Sequence, residues 1–573
     1  MKEINEFKNL KEMINNTFNK YADRPAFYLN GENLENSKIV TYKEYYNDIN
    51  ALGTAMIEMG LKGKRIAIIS ENRYEWEVAY LAVCCGTGIV VPLDKALPEG
   101  EIESLITRSE AEAIFYSQKY DSVMAKIQKD GNTKLKYFIS MELEENDFNK
   151  FSQRVITKKG YELVEGGNRE FIDAQINNEE MNIMLFTSGT TNVSKAVMLS
   201  HKNICTNILD IGKSFDINET DRFLSFLPLH HTFECTVGYL YPVSKGSAII
   251  FSKGVRHISD ELKNYKITAM IVVPVLAEKT YDKIMKSIEQ KGKLKTVNKA
   301  TKISNALLKV GIDVRKKLFK EIHEGLGGHL RIMVAGGAPF DAEKEKGFWN
   351  LGLNVLQGYG LTETSPVIAA ELPHQKKLGT IGKKMPSVEV KIDEPDENGV
   401  GELIVKGDSV MLGYYNNDEA NEECFTKDGW FRTGDLARIG KEGYIYISGR
   451  KKFVIVLKNG KNVYPEEIET LILKNELISE CMVFGLPAQD GDVTISVKVV
   501  PNKQVIETNY KDNTEEEIKE IIWNWIKEVN KTMPKYKYVK KLILSDEELI
   551  KTTTLKIKRK IEIEKTIKNV TKM

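Results

Sequence analysis

A chain of 573 residues is too long for one ordinary hydrophobic core and points to several domains or subdomains. With 42% hydrophobic and 28% charged residues it has the balance of a soluble globular protein. The 82 basic and 81 acidic side chains leave a net charge of +1. No global field attracts nucleic acid, and any anionic partner must be held by a local site. The six cysteines (Cys84, Cys85, Cys205, Cys235, Cys424, Cys481) are too few and too scattered for a disulfide scaffold or a metal knuckle. Reduced thiols in a cytoplasmic enzyme are expected. No apolar signal core follows Met1, and no apolar stretch is long enough to span a bilayer, so peripheral membrane contact is the most that is expected.

In chain order, Thr41 opens a helical pattern through Met59, and Arg65–Ile69 reads as a buried strand. A helical stretch around Glu75 to Cys84 then leads into a second apolar run, Gly88 to Leu93. Helices between short β-branched runs predict a parallel α/β sheet. The rhythm returns at Ala269–Pro274, Leu330–Val334 and Asn354–Gln357. A lysine-rich helical stretch from about Lys283 to Lys320 reads as a solvated face. After about Leu372 the texture becomes strand and turn, with a hairpin expected from Val388–Ile392 and Gly401–Val405 around Asp396-Glu397-Asn398-Gly399. From Lys452 onward a small α+β domain is expected. It has a helix at Pro465–Leu473, strands at Met482–Phe484 and Thr494–Val500, and a capping box from Thr514 to Glu517. The helix so opened carries Ile518, Ile521, Ile522, Trp525 and Val529 on one face. The expected organisation is α/β. A large N-terminal lobe (1–451) has parallel-type sheets plus a β-rich subdomain, and a mobile C-terminal α+β domain spans 452–573.

Four segments carry chemistry. Leu185 and Phe186 run into Thr187-Ser188-Gly189-Thr190-Thr191, followed by Asn192-Val193-Ser194-Lys195. Hydroxyls and backbone N–H groups in such a loop can wrap phosphate oxygens, with the ammonium supplying charge. Directly after a strand, Gln357-Gly358-Tyr359-Gly360-Leu361-Thr362-Glu363-Thr364 offers an aromatic to stack on a base, a hydroxyl for a phosphate and a carboxylate suited to Mg²⁺. Asp435, in Trp430-Phe431-Arg432-Thr433-Gly434-Asp435, could accept from a ribose diol, and Arg450 could reach the same ribose or a phosphate. Last, from residue 551 to the end, eight basic residues face two acidic ones around Thr552-Thr553-Thr554-Leu555-Lys556. A solvated face is the default reading of such a run.

In this order and at these separations the four segments resemble the adenylate-forming (AMP-binding) superfamily, over about Thr41 to Arg559. Leu227-Pro228-Leu229-His230-His231-Thr232-Phe233-Glu234 is most similar to its long-chain fatty acyl-CoA synthetase branch. The resemblance implies an ATP-dependent ligase with ATP, Mg²⁺ and coenzyme A. It would activate a carboxylic acid, expected to be a medium- or long-chain fatty acid, as acyl-AMP before transfer to CoA. An acyl carrier protein as acceptor, an aromatic acid as substrate, or a non-catalytic binding relative are the alternatives. It implies that Thr187 to Lys195 hold the β- and γ-phosphates, and that Gly336, Gly337, Ala338 and Tyr359 enclose the adenine. Thr362 would touch the α-phosphate, Glu363 with Thr187 would bind Mg²⁺, and Asp435 and Arg450 would fix the ribose. His231 would lie beside the carboxylate, Lys452 would be the hinge, and Lys556 the catalytic lysine. The chain departs from the family at Asn192, Ser194 and Ala196, where glycines and a proline are usual, at Phe453 after the hinge, and at Leu555. Ala196 is the hardest to reconcile with a close backbone approach.

Overall fold

The computed structural model describes residues 6–147, 149–187, 194–458, 461–487, 493–551 and 557–570. Ser188, Gly189, Thr190, Thr191 and Lys556 lie outside the described residues, as do Asn192 and Leu555. The chain divides into two compact units: residues 1–389 with 405–431, and residues 390–404 with 432–573.

The first unit is built on two large sheets. One has eight strands in the order Gly413–Tyr414, Lys195–Ser200, Met181–Thr187, Gly88–Pro92, Lys64–Ile69, Ala113–Tyr116, Tyr137–Ser140, Phe151–Ser152. Its pairs are parallel from Met181–Thr187 to Phe151–Ser152 and antiparallel at the two strands beyond. The other has nine strands: Lys383–Lys384, Val367–Ala370, Val355–Gly360, Ile332–Gly336, Ala269–Val272, Arg222–Ser225, Ala248–Phe251, Pro25–Leu29, Lys38–Thr41. Here a parallel centre is flanked by antiparallel edges. The central strands are apolar on both faces because helices cover both, as a parallel sheet requires.

Local chemistry sets the helix starts. Thr41 caps helix Tyr42–Glu58 with a full capping box through Glu44, so the chain stops being a strand there and begins to coil. Helix Tyr74–Ala82 does not run on to Cys84. It passes into a π-helical turn, Val83–Thr87, broken by Gly86 at φ +154°.

In the second unit, strands Ile478–Pro487, Val493–Pro501 and Lys541–Leu544 form a three-stranded sheet. Helix Glu515–Lys531 is capped by the Thr514–Glu517 box and packs on the core of this unit. Its buried stripe is Ile518, Ile522, Ile526 and Val529, which follows the 3.6-residue period. Ile521 and Trp525 are only partly buried, on the margin of that stripe, and Trp525 uses its indole N–H to donate to the carbonyl of Ile472. The strands Glu389–Asp393 and Gly401–Lys406 are neighbours in a four-stranded sheet with Phe431–Ile439 and Ile445–Arg450, in keeping with the expected hairpin.

Candidate nucleotide and acid site

The Ser/Thr-rich segment is flanked by two paired strands. Strands Met181–Thr187 and Lys195–Ser200 pair antiparallel, with Thr187 directly opposite Lys195. The Lys195 ammonium lies 4.7 Å from the ring centre of Tyr414. Arg108 donates to the carbonyl of Ser194 at 2.5 Å and holds its guanidinium 5.3 Å from the ring centre of Phe186. Two cations therefore stand at the root of the loop, the charge that phosphates need. Ala196 sits in the ladder opposite Phe186 and is buried in the core. At that position the backbone is extended and the methyl group packs, which accounts for a residue other than glycine.

A second ledge is formed by two strand ends. Ile332–Gly336 and Val355–Gly360 run parallel, with Gly336 beside Gly358. A Cβ on Gly336 would come within 2.8 Å of the Phe233 ring, so only glycine lets that ring close on the strand. Gly337 leaves the strand at φ +88°, and Gly337 and Ala338 are exposed at its end. Tyr359 does not follow the strand, as the sequence implied, but lies within it, paired with Ala369. The ladder continues because the chain turns back at Pro366 and offers Val367–Ala370 as a partner strand; Gly360 is the point of closest approach, where a Cβ would stand 1.8 Å from the carbonyl oxygen of Pro366. Thr362 and Glu363 then occupy the 3₁₀ turn Thr362–Thr364.

Tyr414 joins the two ledges. Its hydroxyl donates to Oε1 of Glu363 at 2.9 Å, while its ring carries the Lys195 ammonium. Burial, then the Glu363 carboxylate, pushes the Tyr414 hydroxyl well above its ordinary pKa, so it remains a donor. Glu363 also accepts from Met411 N–H through its carbonyl, at 2.8 Å. Neither Tyr414 nor Met411 bears any local mark in the sequence.

Behind the Tyr359 strand is a buried polar network. Gln357 donates through Nε2 to Glu345 at 2.9 Å and through its backbone N–H to Glu371 at 3.0 Å. Lys376 pairs with Glu345 at 2.9 Å and donates to the Val355 carbonyl at 2.6 Å. Burial raises the Glu371 carboxyl to about 8. The network is not fully satisfied, since Oε1 of Glu371 is buried without a hydrogen-bond partner among the described residues.

His231 is half-buried at the start of a π-helical segment, Phe233–Leu240, beside the buried His230. Nε2 of His230 lies 3.3 Å from Oδ1 of Asp94, and the two imidazole centres are 4.2 Å apart. Asn72 organises the approach to this pair: it donates to Ser225 Oγ and the Leu227 carbonyl and accepts from Leu229 N–H. Two residues past His231, Phe233 lines an apolar cavity. The cavity lies among helix His201–Ser214, the π-helical segment and the nine-stranded sheet, and its lining runs from Phe215 and Val237 to Val334 and Gly358. No charged residue lines it. Such a space favours an apolar chain.

In the second unit, Asp435 and Arg450 are cross-strand partners, with Arg450 Nε 2.8 Å from Asp435 Oδ1. Asp435 is buried and Arg450 half-buried. Glu402 ties down the same sheet by pairing with Arg432 at 2.9 Å and Lys451 at 2.8 Å. Lys452 sits exposed in the short turn Lys451–Phe453, its ammonium 4.7 Å from the Phe453 ring centre. The segment containing Lys556 is bracketed by a bridge between Lys551 and Ile557. Just beyond it, Arg559 makes a buried two-pronged pair with Glu469.

The family model for AMP-binding enzymes matches residues 14–415, and that for the AMP-binding enzyme C-terminal domain matches 452–572. The chain belongs to the AMP-binding enzyme family. Its relatives include long-chain-fatty-acid–CoA ligase 6 of Mus musculus, 28% identical over 492 residues, covering 82% of this chain and 70% of the relative. Fatty acyl-CoA synthetase B of Dictyostelium discoideum is 29% identical over 555 residues, covering 91% and 81%. Among solved structures, an anthranilate CoA ligase in complex with anthranoyl-AMP superposes with a TM-score of 0.78 at 18% identity, covering 100% of this chain and 99% of that one. ATP-bound MatB from Rhodopseudomonas palustris gives 0.75 at 23% identity, with 98% and 99% covered. These two likenesses establish the fold. Among the described residues no helix is long and apolar enough to cross a membrane.

Proposed function

We propose that the protein is an ATP-dependent fatty acid–CoA ligase. A carboxylate oxygen of the acid attacks the α-phosphorus of ATP, the bond to pyrophosphate breaks, and acyl-AMP forms. The sulfur of CoA then attacks the acyl carbonyl and AMP leaves. The observation that carries the choice of acid is the uncharged cavity behind Phe233, next to the strand end that bears Tyr359 and Thr362. The names of the relatives point the same way.

In this reading Thr187, Lys195 and the intervening Ser188, Gly189, Thr190 and Thr191 hold the β- and γ-phosphates. Gly336, Gly337 and Ala338 with Tyr359 take the adenine, Thr362 the α-phosphate, and Asp435 with Arg450 the ribose. His231 stands by the carboxylate, Lys452 serves as hinge, and Lys556 bridges the acid and the α-phosphate. One carboxylate, Glu363, and one alcohol, Thr187, are the donor set expected for Mg²⁺, which keeps waters and phosphate oxygens as its other ligands. The hydroxyl of Tyr414 fixes one Glu363 oxygen and so orients the carboxylate. Bound there, Mg²⁺ would neutralise charge on the phosphates. The protein's own part is to bring two anions together, with Lys195 and Lys556 offsetting their repulsion.

Pyrophosphate release measured across a panel of acids, then thioester formation with CoA or acyl carrier protein, tests this reading. Release with fatty acids and transfer to CoA is expected; no release with any acid would overturn it. Lys556→Ala should abolish adenylate formation yet leave thioester formation from supplied acyl-AMP largely intact.

A further inference from the structure

From Gln290 to Ile312 the chain contains six lysines (Lys291, Lys293, Lys295, Lys299, Lys302, Lys309) and no aspartate or glutamate, in a protein whose net charge is only +1. Most of this run is helix Leu294–Leu308. The helix is fastened on one side: Ser304 is buried, Val297 and Ala300 pack on the core under the nine-stranded sheet, and Asn305 donates to Asn350 at 2.9 Å. At 100° per residue, the opposite side gathers Lys295, Lys299, Lys302 and Ala306 on one arc, with Ile303 at its margin. All five are exposed. Among the described residues only Lys293 of the six lysines forms an ion pair, with Glu321 at 2.9 Å.

The segment as a whole also exposes many apolar side chains. Leu294, Ile303, Val310, Ile312 and Leu318 are exposed by 36 to 71%, and they make up five of the fourteen large apolar side chains exposed among the described residues. Single exposed apolar residues are ordinary, but here five fall within 25 positions of each other. A merely solvated helix mixes its charges, as the preceding helix Pro274–Gln290 does with Glu278, Lys279, Asp282, Lys283, Lys286 and Glu289. The combination of unneutralised lysines and protruding aliphatic tips suits an interface that is anionic at its surface and apolar just beneath.

We propose that helix Leu294–Leu308 and the segment after it, through the short helix Arg315–Leu318, dock the protein on the surface of an anionic lipid bilayer. The lysines meet the headgroups, and Val310 and Ile312 enter the acyl boundary. A nucleic acid would satisfy the lysines but gain nothing from the aliphatic side chains, which is why the bilayer is the better occupant.

The test is co-sedimentation of the full chain with phosphatidylcholine vesicles, with and without phosphatidylglycerol. Binding only to the anionic vesicles is expected. The triple change Lys295→Glu, Lys299→Glu, Lys302→Glu should lower partitioning about fivefold per lysine. The pair Val310→Ser, Ile312→Ser should also weaken it severalfold. Lys→Gln versions at the same three positions guard against misfolding, and circular dichroism and pyrophosphate release with a dissolved acid should match the unaltered protein. Three results overturn the proposal: no binding to anionic vesicles, binding untouched by the lysine changes (another basic segment then carries it), or lysine dependence with no effect of the serine pair and equal binding to duplex DNA. Its failure would leave the ligase reading standing, because activity is measured with dissolved acid.

Discussion

Asp435 and Arg450 occupy opposed positions on adjacent antiparallel strands, and the guanidinium Nε lies 2.8 Å from the carboxylate. Each thus orients the other. Asp435→Asn and Arg450→Gln should each raise KM for ATP about tenfold to a hundredfold, corresponding to ~1.5–3 kcal/mol for a hydrogen bond to a charged group. The double variant should cost less than the sum, since each single change strands a half-buried or buried charge. ATP titrations of pyrophosphate release measure this; additive losses would show that the pair does not act as a unit.

Tyr414 holds Glu363 by a 2.9 Å hydrogen bond. Tyr414→Phe keeps the ring under Lys195 and removes only that bond. If Glu363 carries the metal, the Mg²⁺ concentration for half-maximal activity should rise about tenfold or more, the range for loss of an orienting partner. An unchanged Mg²⁺ dependence with lowered stability would reassign Tyr414 to a purely structural part.

Glu234 is wholly buried on the π-helical segment, and burial raises its carboxyl from 4.5 to about 8. Between those values the folded chain retains a proton that the unfolded chain has released. This contribution to stability is therefore complete below pH 4.5, shrinks as pH climbs, and is gone above about 8. Glu234→Gln should flatten the fall in stability over that window by up to ~1.4 kcal/mol per pH unit. Urea unfolding at several pH values, compared with the unaltered protein, reads the difference; identical slopes would mean the carboxyl is already ionised when folded.

Val237 lines the apolar cavity and is buried. Val237→Phe should fill part of the space and cut kcat/KM for long acids about tenfold or more, while short acids lose less, since each methylene in such a pocket is worth ~1–3 kcal/mol. A uniform loss across chain lengths would place the acyl chain elsewhere.

Much of the fold was legible residue by residue because the deciding interactions are local. The Thr41–Glu44 and Thr514–Glu517 capping boxes form as expected, since a hydroxyl and a carboxylate three positions apart meet on any first helical turn. Apolar runs such as Arg65–Ile69 had to be buried strands between helices. Gly336 does end its strand, but the sequence showed neither that Gly358 lies inside the next strand nor that a phenylalanine from position 233 would close on Gly336.

By itself the sequence determined the order of the elements, the family and the chemical types gathered for nucleotide chemistry. Only the tertiary structure decided which of those groups support one another. Tyr414 reaches Glu363 across 51 residues, and Asp94, just past strand Gly88–Pro92, meets His230 from a distant part of the chain. Nothing periodic in the chain marks Tyr414, Asp94 or the cavity walls, because contacts between strands are fixed by how the sheets pack. A spacing of three or four residues can be read along a chain; a cavity bounded by a helix, a π-helical segment and five strands exists only once they are packed.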